Sequence, residues 1–502
     1  MHTAALLLVL AVGPALLRAE APSAPPVSAA PAPSDTTSPP RWRIERHPKI
    51  AGQYQRIGAD QVQIGPYRMA QIDHEDDQAF YLRIYAPVAV TPDPIVVSAP
   101  PQVQLASSRL FALRPFDRGL PREGQWRNDL AVADLDGDSA LDIVSTPPRK
   151  SMGRPVIFLG DGQGNWRRWS EARYPALRYD YGGVVAGDMD RDGRTDLALA
   201  MHLRGFTVLR QVDRGRFERA DSGLSHLEDV ATHGVSGTFL AWNAGQTRKP
   251  LLVLLNEMLR PGANARLAPS AEVMEWTGRD WEAARGVPVE LLRGGRARAV
   301  PADRSLPGLW FLTQGNSGAR MIRYWRQQWT VARLDTLPAD CELHAAAVAE
   351  VDADGRPDVA VSCLRLLGET WWSEVRLLRS RLGALTIQAG SSAQAVSAIA
   401  FVRPRGQRVG PDLALVDRTG GLQLLSAGPA GSFLRDHLEA TPDWRRGCAG
   451  HALHGVDLDH DGRDELLASF AGESSVFDLQ TACPSNGGIA LWKVRRRAGA
   501  GR

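Results

Sequence analysis

Short apolar runs alternate with polar turns along most of the chain. Four of the turns are rich in acidic residues, and each stands between two apolar runs of strand length. Leu130-Ala131-Val132 precedes the first of these turns, for example, and Ile143-Val144 follows it. Apolar runs of this length, bounded by turn residues, are typical of β-strands. The pattern therefore predicts pairs of strands joined by acidic loops.

The four acidic loops share one register. Counted from the first acid, carboxylates stand at positions 1, 3, 5 and 9. Position 6 is glycine in three loops but Ser139 in the first, which predicts the most strained turn there. The acids are Asp134, Asp136, Asp138 and Asp142; Asp188, Asp190, Asp192 and Asp196; Glu350, Asp352, Asp354 and Asp358; and Asp457, Asp459, Asp461 and Glu465.

The loops have the chemistry of a calcium site. Ca²⁺ takes about six to eight oxygen ligands, and a tight loop with carboxylates on alternate residues can direct them at one centre. Position 7 would add its backbone carbonyl, from Ala140, Arg194, Arg356 and Arg463. An EF-hand is excluded because position 12 is never glutamate. A solvated hairpin turn would explain one such loop, whereas four in one register favour about four Ca²⁺ sites.

The loops also reveal a repeat. Asp142 and Asp196 lie 54 residues apart, the next interval is three times as long, and the last, to Glu465, is close to twice as long. These intervals predict degenerate copies that have lost the acids, and therefore seven units in all. The degenerate copies are Trp242 to Pro250, Val300 to Gly308 and Val402 to Asp412.

Each unit contains four predicted strands. A strand, a polar turn and an aromatic residue that opens another strand follow each loop, most clearly from Val156 to Trp166. The fold class predicted is all-β: a seven-bladed β-propeller of four-stranded antiparallel blades, with a small N-terminal β segment. A linear β-solenoid is the less suitable alternative, because its coils are shorter. The last unit lacks an outer strand, which Arg109 to Phe116 is predicted to supply by closing the ring.

The loops, the period and the turn Leu159-Gly160-Asp161-Gly162-Gln163-Gly164 resemble the FG-GAP or VCBS repeat family. Its members include the propeller of integrin α-subunits and many exported bacterial proteins. The resemblance covers roughly residues 105 to 495. It implies a seven-bladed propeller that holds calcium between the first two strands of certain blades and usually acts as an adhesive or recognition surface.

The N-terminal region has the features of an export signal. Residues 1–21 combine an apolar stretch, Ala4 to Leu17, with the small-residue site Ala19-Glu20-Ala21. Residues 22–40 form a linker rich in Pro, Ala and Ser, 41–100 a small β segment, 101–495 the propeller and 496–502 a tail. We therefore expect a periplasmic or secreted protein, with no integral membrane segment after signal cleavage.

The four cysteines of an exported chain indicate two disulfides, for which three connectivities exist. Cys341 and Cys363 are nearly symmetric about the third acidic loop and would face each other across its hairpin. Cys448 and Cys483 would then join parts of the last unit. Four free buried thiols are the alternative.

The charge distribution bears on the partners. Sixteen of the 56 acids belong to the loops, so four calcium ions would change the formal net charge from +3 to +11. A basic surface would favour anionic polysaccharide, lipopolysaccharide or phospholipid headgroups. A compositional bias towards arginine explains the charge equally well, since only four of the 59 bases are lysine. No stripe of bases and aromatics predicts nucleic acid binding.

A ligand site is expected on the connections opposite the acidic loops. His344 and His451 each stand six residues before position 1 and are candidates for binding a metal or an acidic ligand. Trp371 and Trp372 are candidates for stacking on a sugar ring, although aromatic residues of a propeller more commonly wedge between blades. The candidate set is Tyr179, Tyr181, His202, His344, Trp371, Trp372, Trp444, His451 and His454.

The sequence favours a non-enzymatic function. It contains no nucleophile elbow, zinc-protease motif, phosphate loop or Cys-x-x-Cys pair. The leading hypothesis is an exported calcium-binding β-propeller that binds a protein or glycan surface ligand, as an adhesion or scaffold protein. The alternative is a calcium-dependent polysaccharide lyase or hydrolase on the same propeller.

Overall fold

The structure is a computed structural model, and the regular secondary structure of its described residues is almost entirely β-strand. It divides into two compact units, Met1–Ile95 and Val96–Arg502. The residues that it describes are 42–49, 54–56, 61–64, 68–85, 105, 107–108, 111–127, 129–149, 151, 153–202, 205–224, 237–243, 251–256, 271–293, 296–303, 305–315, 318–334, 337, 341–352, 354–367, 370–379, 383–391, 395–404, 410–428, 432–436, 438, 442–472 and 483–497.

The first unit is one antiparallel sheet with the strand order β1-β5-β4-β3-β2. Val62, Ile72, Phe80 and Leu82 form its apolar core. The strands are β1 (Trp42–Pro48), β2 (Tyr54–Arg56), β3 (Gln61–Ile64), β4 (Arg68–Glu75) and β5 (Ala79–Tyr85). The sequence of this segment contains no motif that indicates a function.

The second unit contains seven described sheets, and consecutive strands of the chain form all of the first five and most of the last two. Sheet 1 is β8 (Leu130–Ala133), β9 (Asp142–Ser145), β10 (Val156–Gly160) and β11 (Trp166–Arg168). Sheet 2 is β12 (Gly182–Gly187), β13 (Asp196–Met201), β14 (Gly205–Asp213) and β15 (Arg216–Arg219). Sheet 3 is β16 (Gly237–Asn243), β17 (Leu251–Asn256), β18 (Ala271–Trp276) and β19 (Trp281–Ala283).

The later sheets follow the same plan, and a short helix, α1 (Val289–Arg293), precedes sheet 4. Sheet 4 is β20 (Arg296–Ala299), β21 (Leu309–Gly315), β22 (Gly318–Trp325) and β23 (Gln328–Arg333). Sheet 5 is β24 (Glu342–Ala349), β25 (Asp358–Leu367), β26 (Thr370–Arg379) and β27 (Gly383–Ser391). Sheet 6 is β28 (Val396–Val402), β29 (Asp412–Asp417), β30 (Leu422–Ala427) and β31 (Phe433–Asp436). Sheet 7 begins with β32 (Ala449–Val456), β33 (Glu465–Ala471) and β34 (Gly487–Arg496).

Two strands from the start of the unit complete the last two sheets. β7 (Phe111–Pro115) pairs antiparallel with β34. It lies within Arg109 to Phe116, the segment predicted to supply the missing strand of the last unit. β6 (Ser107–Ser108) pairs parallel with β31 and gives sheet 6 a fifth strand. The repeat pattern did not predict β6, because two serines carry no strand periodicity.

Burial explains why each strand has its sequence. The second strands β9, β13, β29 and β33 are buried at every position, which accounts for their continuous apolar runs. The outer strands β11, β15 and β19 instead bury one aromatic residue and expose the residues after it. The aromatic residues predicted to open these strands are therefore the side chains that attach each outer strand to the apolar core.

Neighbouring sheets are joined by apolar clusters. One cluster lies between each successive pair of sheets, from sheets 1 and 2 to sheets 6 and 7. A further cluster joins sheet 7 to sheet 1, through residues such as Leu467 and Ile489 against Leu130 and Ile143. The series of contacts therefore closes on itself, and each of the seven sheets has an apolar neighbour on both faces.

Both predicted disulfides are present. Cys341 and Cys363 join the ends of β24 and β25, and Cys448 and Cys483 join the segments that lead into β32 and β34. None of the helices in the described part of the chain has the length and hydropathy of a membrane-spanning segment.

Candidate metal centres

Each acidic loop connects the first and second strands of a sheet, in sheets 1, 2, 5 and 7. The carboxylates at positions 1, 3 and 9 meet there, with one oxygen of each within 4.8 Å of the others. The groups are Asp134, Asp136 and Asp142; Asp188, Asp190 and Asp196; Glu350, Asp352 and Asp358; and Asp457, Asp459 and Glu465. Two oxygens on opposite sides of a Ca²⁺ ion are at most about 5 Å apart, so these separations fit a shared ion.

The acid at position 9 anchors the loop to the sheet. In the first loop, Oδ2 of Asp142 accepts a hydrogen bond from the backbone N–H of Leu135 (2.8 Å), and Oδ1 accepts one from Gly160 (2.9 Å) on β10. Asp196 makes the equivalent pair of bonds in the second loop. Asp358 and Glu465 accept the corresponding N–H from position 2. Position 9 therefore fixes the hairpin whether or not a metal is bound.

Burial strongly affects these anchors. Burial, together with the nearby carboxylates of Asp136 and Asp138, raises the pKa of Asp142 to about 7. The pKa of Asp196 is raised to about 7 for the same reasons. Burial also raises the pKa of Glu465 to about 7. A cation held by the loop would stabilise the ionised form of each group.

The acid at position 1 accepts hydrogen bonds from the turn of its own loop. Oδ1 of Asp134 accepts from the N–H of Gly137 (2.7 Å) and Oδ2 accepts from that of Ser139 (3.0 Å). Asp188 does the same with Asp192 and Gly193, both at 3.0 Å. These bonds hold the turn closed around the carboxylates.

The acid at position 5 helps to form the turn of each loop. Asp138, Asp192, Asp354 and Asp461 lie outside the groups of close oxygens. In each loop, Oδ1 of this residue accepts the N–H of position 7, at 2.8–2.9 Å. The donors are Ala140, Arg194, Arg356 and Arg463. Position 5 thus shapes the turn through a side-chain to backbone bond of the kind that aspartate commonly makes.

Position 6 requires an unusual backbone conformation. Gly193, Gly355 and Gly462 all have φ between 75° and 89°, and Ser139 has φ of 74° in the first loop. An L-residue with a side chain is strained there. The structure therefore agrees with the strain predicted at Ser139.

Two loops contain carboxylate oxygens that are buried without a hydrogen bond. These are Oδ1 of Asp352 and Oδ1 of Asp459, for which the described residues offer no donor. Burying a carboxylate oxygen without a partner is costly, and a hard cation is a natural partner for it. The donor set, its spacing and these two oxygens all fit calcium.

Basic side chains surround three of the loops. Arg214 lies 2.7 Å from Asp136, Arg210 lies 3.5 Å from Asp190, and Lys493 forms an ion pair with Asp459. In the described structure, Asp352 has no such pair. A bound cation would compete with the protein's own bases in sheets 1, 2 and 7 but not at Asp352.

The degenerate loops hold no three-acid group among the residues that the structure describes. In sheet 6, Asp412 keeps position 9, is fully buried and accepts the N–H of Ala427 at 2.8 Å. In sheet 4, Asp303 instead forms two 2.6 Å hydrogen bonds with Arg403. The corresponding residues of sheet 3, 244–250, lie outside the described part.

Comparison with family models matches residues 134–199 to a model described as an FG-GAP-like repeat. This segment is therefore similar to an FG-GAP-like repeat. It contains the complete first and second acidic loops, so the resemblance stated from the sequence is confirmed for this part of the chain. A search of curated proteins gave no match.

Two solved structures resemble the chain weakly. One is described as BBS1N in complex with ARL6DN, soaked with lead, at 12% identity and a TM-score of 0.44, covering 79% of this chain and 100% of that one. The other is the N-terminal domain of Nup159, at 10% identity and a TM-score of 0.44, covering 79% and 99%.

The ligand-binding candidates predicted from the sequence have different surroundings in the structure. Tyr179 is buried between sheets 1 and 2 and donates its hydroxyl hydrogen to the carbonyl of Pro175, so it is a packing residue. Tyr181 stacks on His202 with ring centres 4.7 Å apart. Trp444 packs edge-on against Phe470.

The two tryptophans proposed for sugar stacking are adjacent on β26. Trp372 is half-buried, and the side chain of Trp371 lies outside the described part.

The histidines do come together. His344, His451 and His454 line one cavity, along with Asp129, Arg298 and Trp310, which the sequence did not single out. Asp129 is 2.8 Å from Nε2 of His454, and this contact raises the pKa of His454 against the lowering effect of its burial. No repeat signal could have identified Asp129, because its partner lies 325 residues away.

Proposed function

We propose that the second unit is a closed, seven-bladed, calcium-binding β-propeller. The cycle of apolar clusters from sheet 1 to sheet 7 and back to sheet 1 supports the ring. The pairing of β7 with β34 also supports the ring. It joins the start of the second unit to its last sheet and leaves no open gap between the first and last blades.

The proposal includes about four Ca²⁺ ions, one in each acidic loop. The single observation that carries it is the convergence of the acids at positions 1, 3 and 9 in four separate loops. Within a loop these carboxylates repel one another, which destabilises the folded loop. A bound cation would offset this repulsion in each of the four loops. Positions 1, 3 and 9 would supply side-chain ligands.

The function proposed is binding or scaffolding outside the cytoplasm. Two disulfides favour an oxidising compartment, and the export signal expected in residues 1–21 leads to the same conclusion. The metal would be structural, because the loops link buried strands and tie them to the third strand through the anchor at position 9.

Calorimetric titration of the metal-free protein with calcium tests this proposal. We expect about four ions per chain and one fewer in Asp459→Asn, whose buried Oδ1 has no other partner. Asp443→Asn, at a highly exposed aspartate away from the loops, is the matched control and should keep all sites. Equal stoichiometry in the two variants would contradict the assignment of the fourth loop.

A further inference from the structure

A groove of about 580 Å³ lies between sheet 7 and sheet 1, where the second unit closes. Sheet 7 lines it with β7, the segment that follows β7 and β34, and sheet 1 lines it with the turn between β10 and β11. No residue of an acidic loop is among the residues that line it. The groove is therefore distinct from the candidate metal centres.

Hydrogen bonds on two sides hold the segment after β7 in place. The N–H of Phe116 donates to the carbonyl of Leu491 on β34 at 2.9 Å. The N–H of Arg118 donates to the carbonyl of Gly164 at 3.1 Å, and the carbonyl of Arg118 accepts the N–H of Trp166 at 2.8 Å. The backbone at Arg118 is therefore fixed between the two sheets.

Basic residues dominate the lining. Five of the eleven lining residues are basic and one is acidic. Three of the bases have carboxylate partners: Arg122 lies 3.5 Å from Asp117, Arg495 lies 3.8 Å from Asp461, and Lys493 forms an ion pair with Asp459. The other two, Arg114 and Arg118, make no ion pair or side-chain hydrogen bond among the described residues. Once each carboxylate is assigned to its base, two positive charges remain in the groove.

The turn between β10 and β11 adds neutral polar groups. The amide side chains of Gln163 and Asn165 line the groove. Asp161 lies in the same turn but does not line the groove, and its Oδ1 accepts the backbone N–H groups of Gln163 and Asn165 at 2.8 and 3.0 Å. The side-chain amide of Gln163 makes no hydrogen bond among the described residues, so it is available as a donor.

The groove is large enough for a small molecule and offers that molecule a mainly polar surface. Its volume is within the range of about 300–1,000 Å³ that is usual for ligand sites. Among the described side chains that line it, only Pro115 and Phe116 are apolar. The ring of Phe116 is covered on one side by the ammonium group of Lys493, which lies 4.3 Å from the ring centre. These walls favour a ligand with a polar body.

The number and type of the unpaired bases favour a phosphate group. A phosphate monoester carries a charge of about −1.5 to −2 at pH 7, which matches the two unpaired guanidinium groups. The planar fork of a guanidinium group can also bind two phosphate oxygens at once. A carboxylate carries a single charge and would leave one of the two groups uncompensated.

We propose that this groove binds a small phosphate monoester with a polar body, such as a sugar phosphate. Its phosphate would contact the guanidinium groups of Arg114 and Arg118, and its polar body would accept a hydrogen bond from Gln163. The inference rests on the proposed binding role of the propeller and names a ligand class for it. It does not depend on calcium, because neither arginine pairs with an acidic loop in the described structure.

Titration calorimetry of the full chain with glucose-6-phosphate, glucuronate and glucose tests the proposal. The three probes share a sugar ring and carry a phosphate, a carboxylate and no charge, respectively. We expect one saturable glucose-6-phosphate site per chain, about tenfold weaker binding of glucuronate and at least about a hundredfold weaker binding of glucose. Absence of saturable glucose-6-phosphate binding, or equal affinity for glucose-6-phosphate and glucuronate, would overturn the proposal.

Substitution of the unpaired arginines locates the site. Arg114→Gln and Arg118→Gln should each weaken glucose-6-phosphate binding about tenfold, and both residues are exposed, so the variants should fold. Arg279→Gln is the matched control, because Arg279 is 92% exposed in the corresponding turn of sheet 3, between β18 and β19. Unchanged affinity in Arg118→Gln that is folded by circular dichroism, or an equal loss in Arg279→Gln, would overturn the proposal.

A second pair of variants separates a local site from the effect of net charge. Gln163→Glu places a negative charge in the groove and should weaken glucose-6-phosphate binding at least about tenfold. Gln328→Glu adds the same charge at an exposed position on β23 of sheet 4 and should have little effect. Equal effects of the two substitutions would show that the binding depends on net charge alone and would contradict a site in the groove.

Running each titration with excess calcium and with EDTA, at a temperature where both forms are folded, separates this proposal from that of the calcium sites. Saturable glucose-6-phosphate binding by a chain that binds no calcium would support the groove and contradict the calcium sites. Four bound calcium ions without saturable glucose-6-phosphate binding would support the calcium sites and contradict the groove.

Discussion

The sheets with complete acidic loops and the sheets with degenerate loops have the same hairpins but different chemistry. Sheets 1, 2, 5 and 7 gather three carboxylates in each loop, whereas sheet 6 keeps only Asp412 at position 9 and still pairs β28 with β29. The hairpin therefore needs its apolar strands and, at most, the anchor at position 9. The acids at positions 1 and 3 are not required for the fold of a sheet, and the proposed metal binding would give them a purpose.

The degenerate loop of sheet 4 contacts neighbouring sheets. Its loop has no metal group among the described residues and instead contacts sheets 5 and 6 through Ala302 and Asp303. This loop, which lacks the acids, thus links sheet 4 to sheets 5 and 6. The complete and degenerate sheets should therefore respond differently to chelation, acid and mutation.

Chelation should have the largest effect, because it acts on all four complete loops at once. With a dissociation constant of about 0.1 mM and about 1 mM free calcium, each site adds about 1.4 kcal/mol to the free energy of unfolding. Four sites add about 6 kcal/mol. We expect EDTA to lower the Tm by about 5–15 °C, measured by differential scanning calorimetry. Restored calcium should reverse the change, and a melting curve indifferent to EDTA would refute a stabilising role for the metal.

Breaking the central pair of the degenerate sheet 4 should have the next largest effect. Asp303→Ala leaves Arg403 buried without its carboxylate, so we expect a loss of about 3–5 kcal/mol in the free energy of unfolding, measured by urea denaturation. The loss should be the same with and without calcium. A calcium-dependent loss would show that the two kinds of loop are coupled.

Acid should act on the same pair. Burial opposes ionisation of Asp303, but the hydrogen bonds from Arg403 and Ser305 outweigh it and lower the pKa below its usual value. The folded protein therefore binds fewer protons here than the unfolded chain, so the stabilisation is complete above about pH 4 and is lost as the pH falls through the folded pKa. Denaturation at a series of pH values in EDTA should show a shallower acid loss in Asp303→Asn than in the wild type.

A pair of matched substitutions compares the two kinds of loop directly. Asp352→Asn removes a position-3 ligand of sheet 5 and should cost about 1.4 kcal/mol in calcium but little in EDTA. Asp412→Ala removes the anchor of sheet 6 and should cost about 1–3 kcal/mol in both conditions, because it frees a buried N–H at Ala427. If the two losses depended on calcium in the same way, the proposed difference between complete and degenerate loops would be wrong.

The smallest effect is expected at position 6 of the first loop. Ser139→Gly relieves a positive φ and should stabilise the protein by about 0.5–1 kcal/mol in thermal denaturation. Ser170→Gly is the control, because it only adds backbone freedom and should be neutral or slightly destabilising. A destabilising Ser139→Gly would contradict the assigned strain.

The periodic features of the fold were predictable from the sequence. The spacing of the acidic loops and the apolar runs beside them predicted the hairpins, the positions of the degenerate copies and the closing strand β7. Cys341 and Cys363 were predictable as a pair because they flank one loop at nearly equal distances. All of these depend on local sequence repeated along the chain.

The features that were missed depend on pairings without a period. Asp303 and Arg403 are 100 residues apart, and Asp129 and His454 are 325 residues apart. Neither pair occupies equivalent positions of the repeat, so no spacing argument links them. The turn-forming hydrogen bond of position 5 was not predicted, because the spacing of the acids does not show which backbone N–H each carboxylate accepts.

The count of bound calcium ions in a native mass spectrum of the full chain tests the central claim most directly. We predict four ions in the wild type, three in Asp352→Asn and four in Asp412→Ala. A wild-type spectrum without bound calcium, or one whose count does not change in Asp352→Asn, would contradict the account.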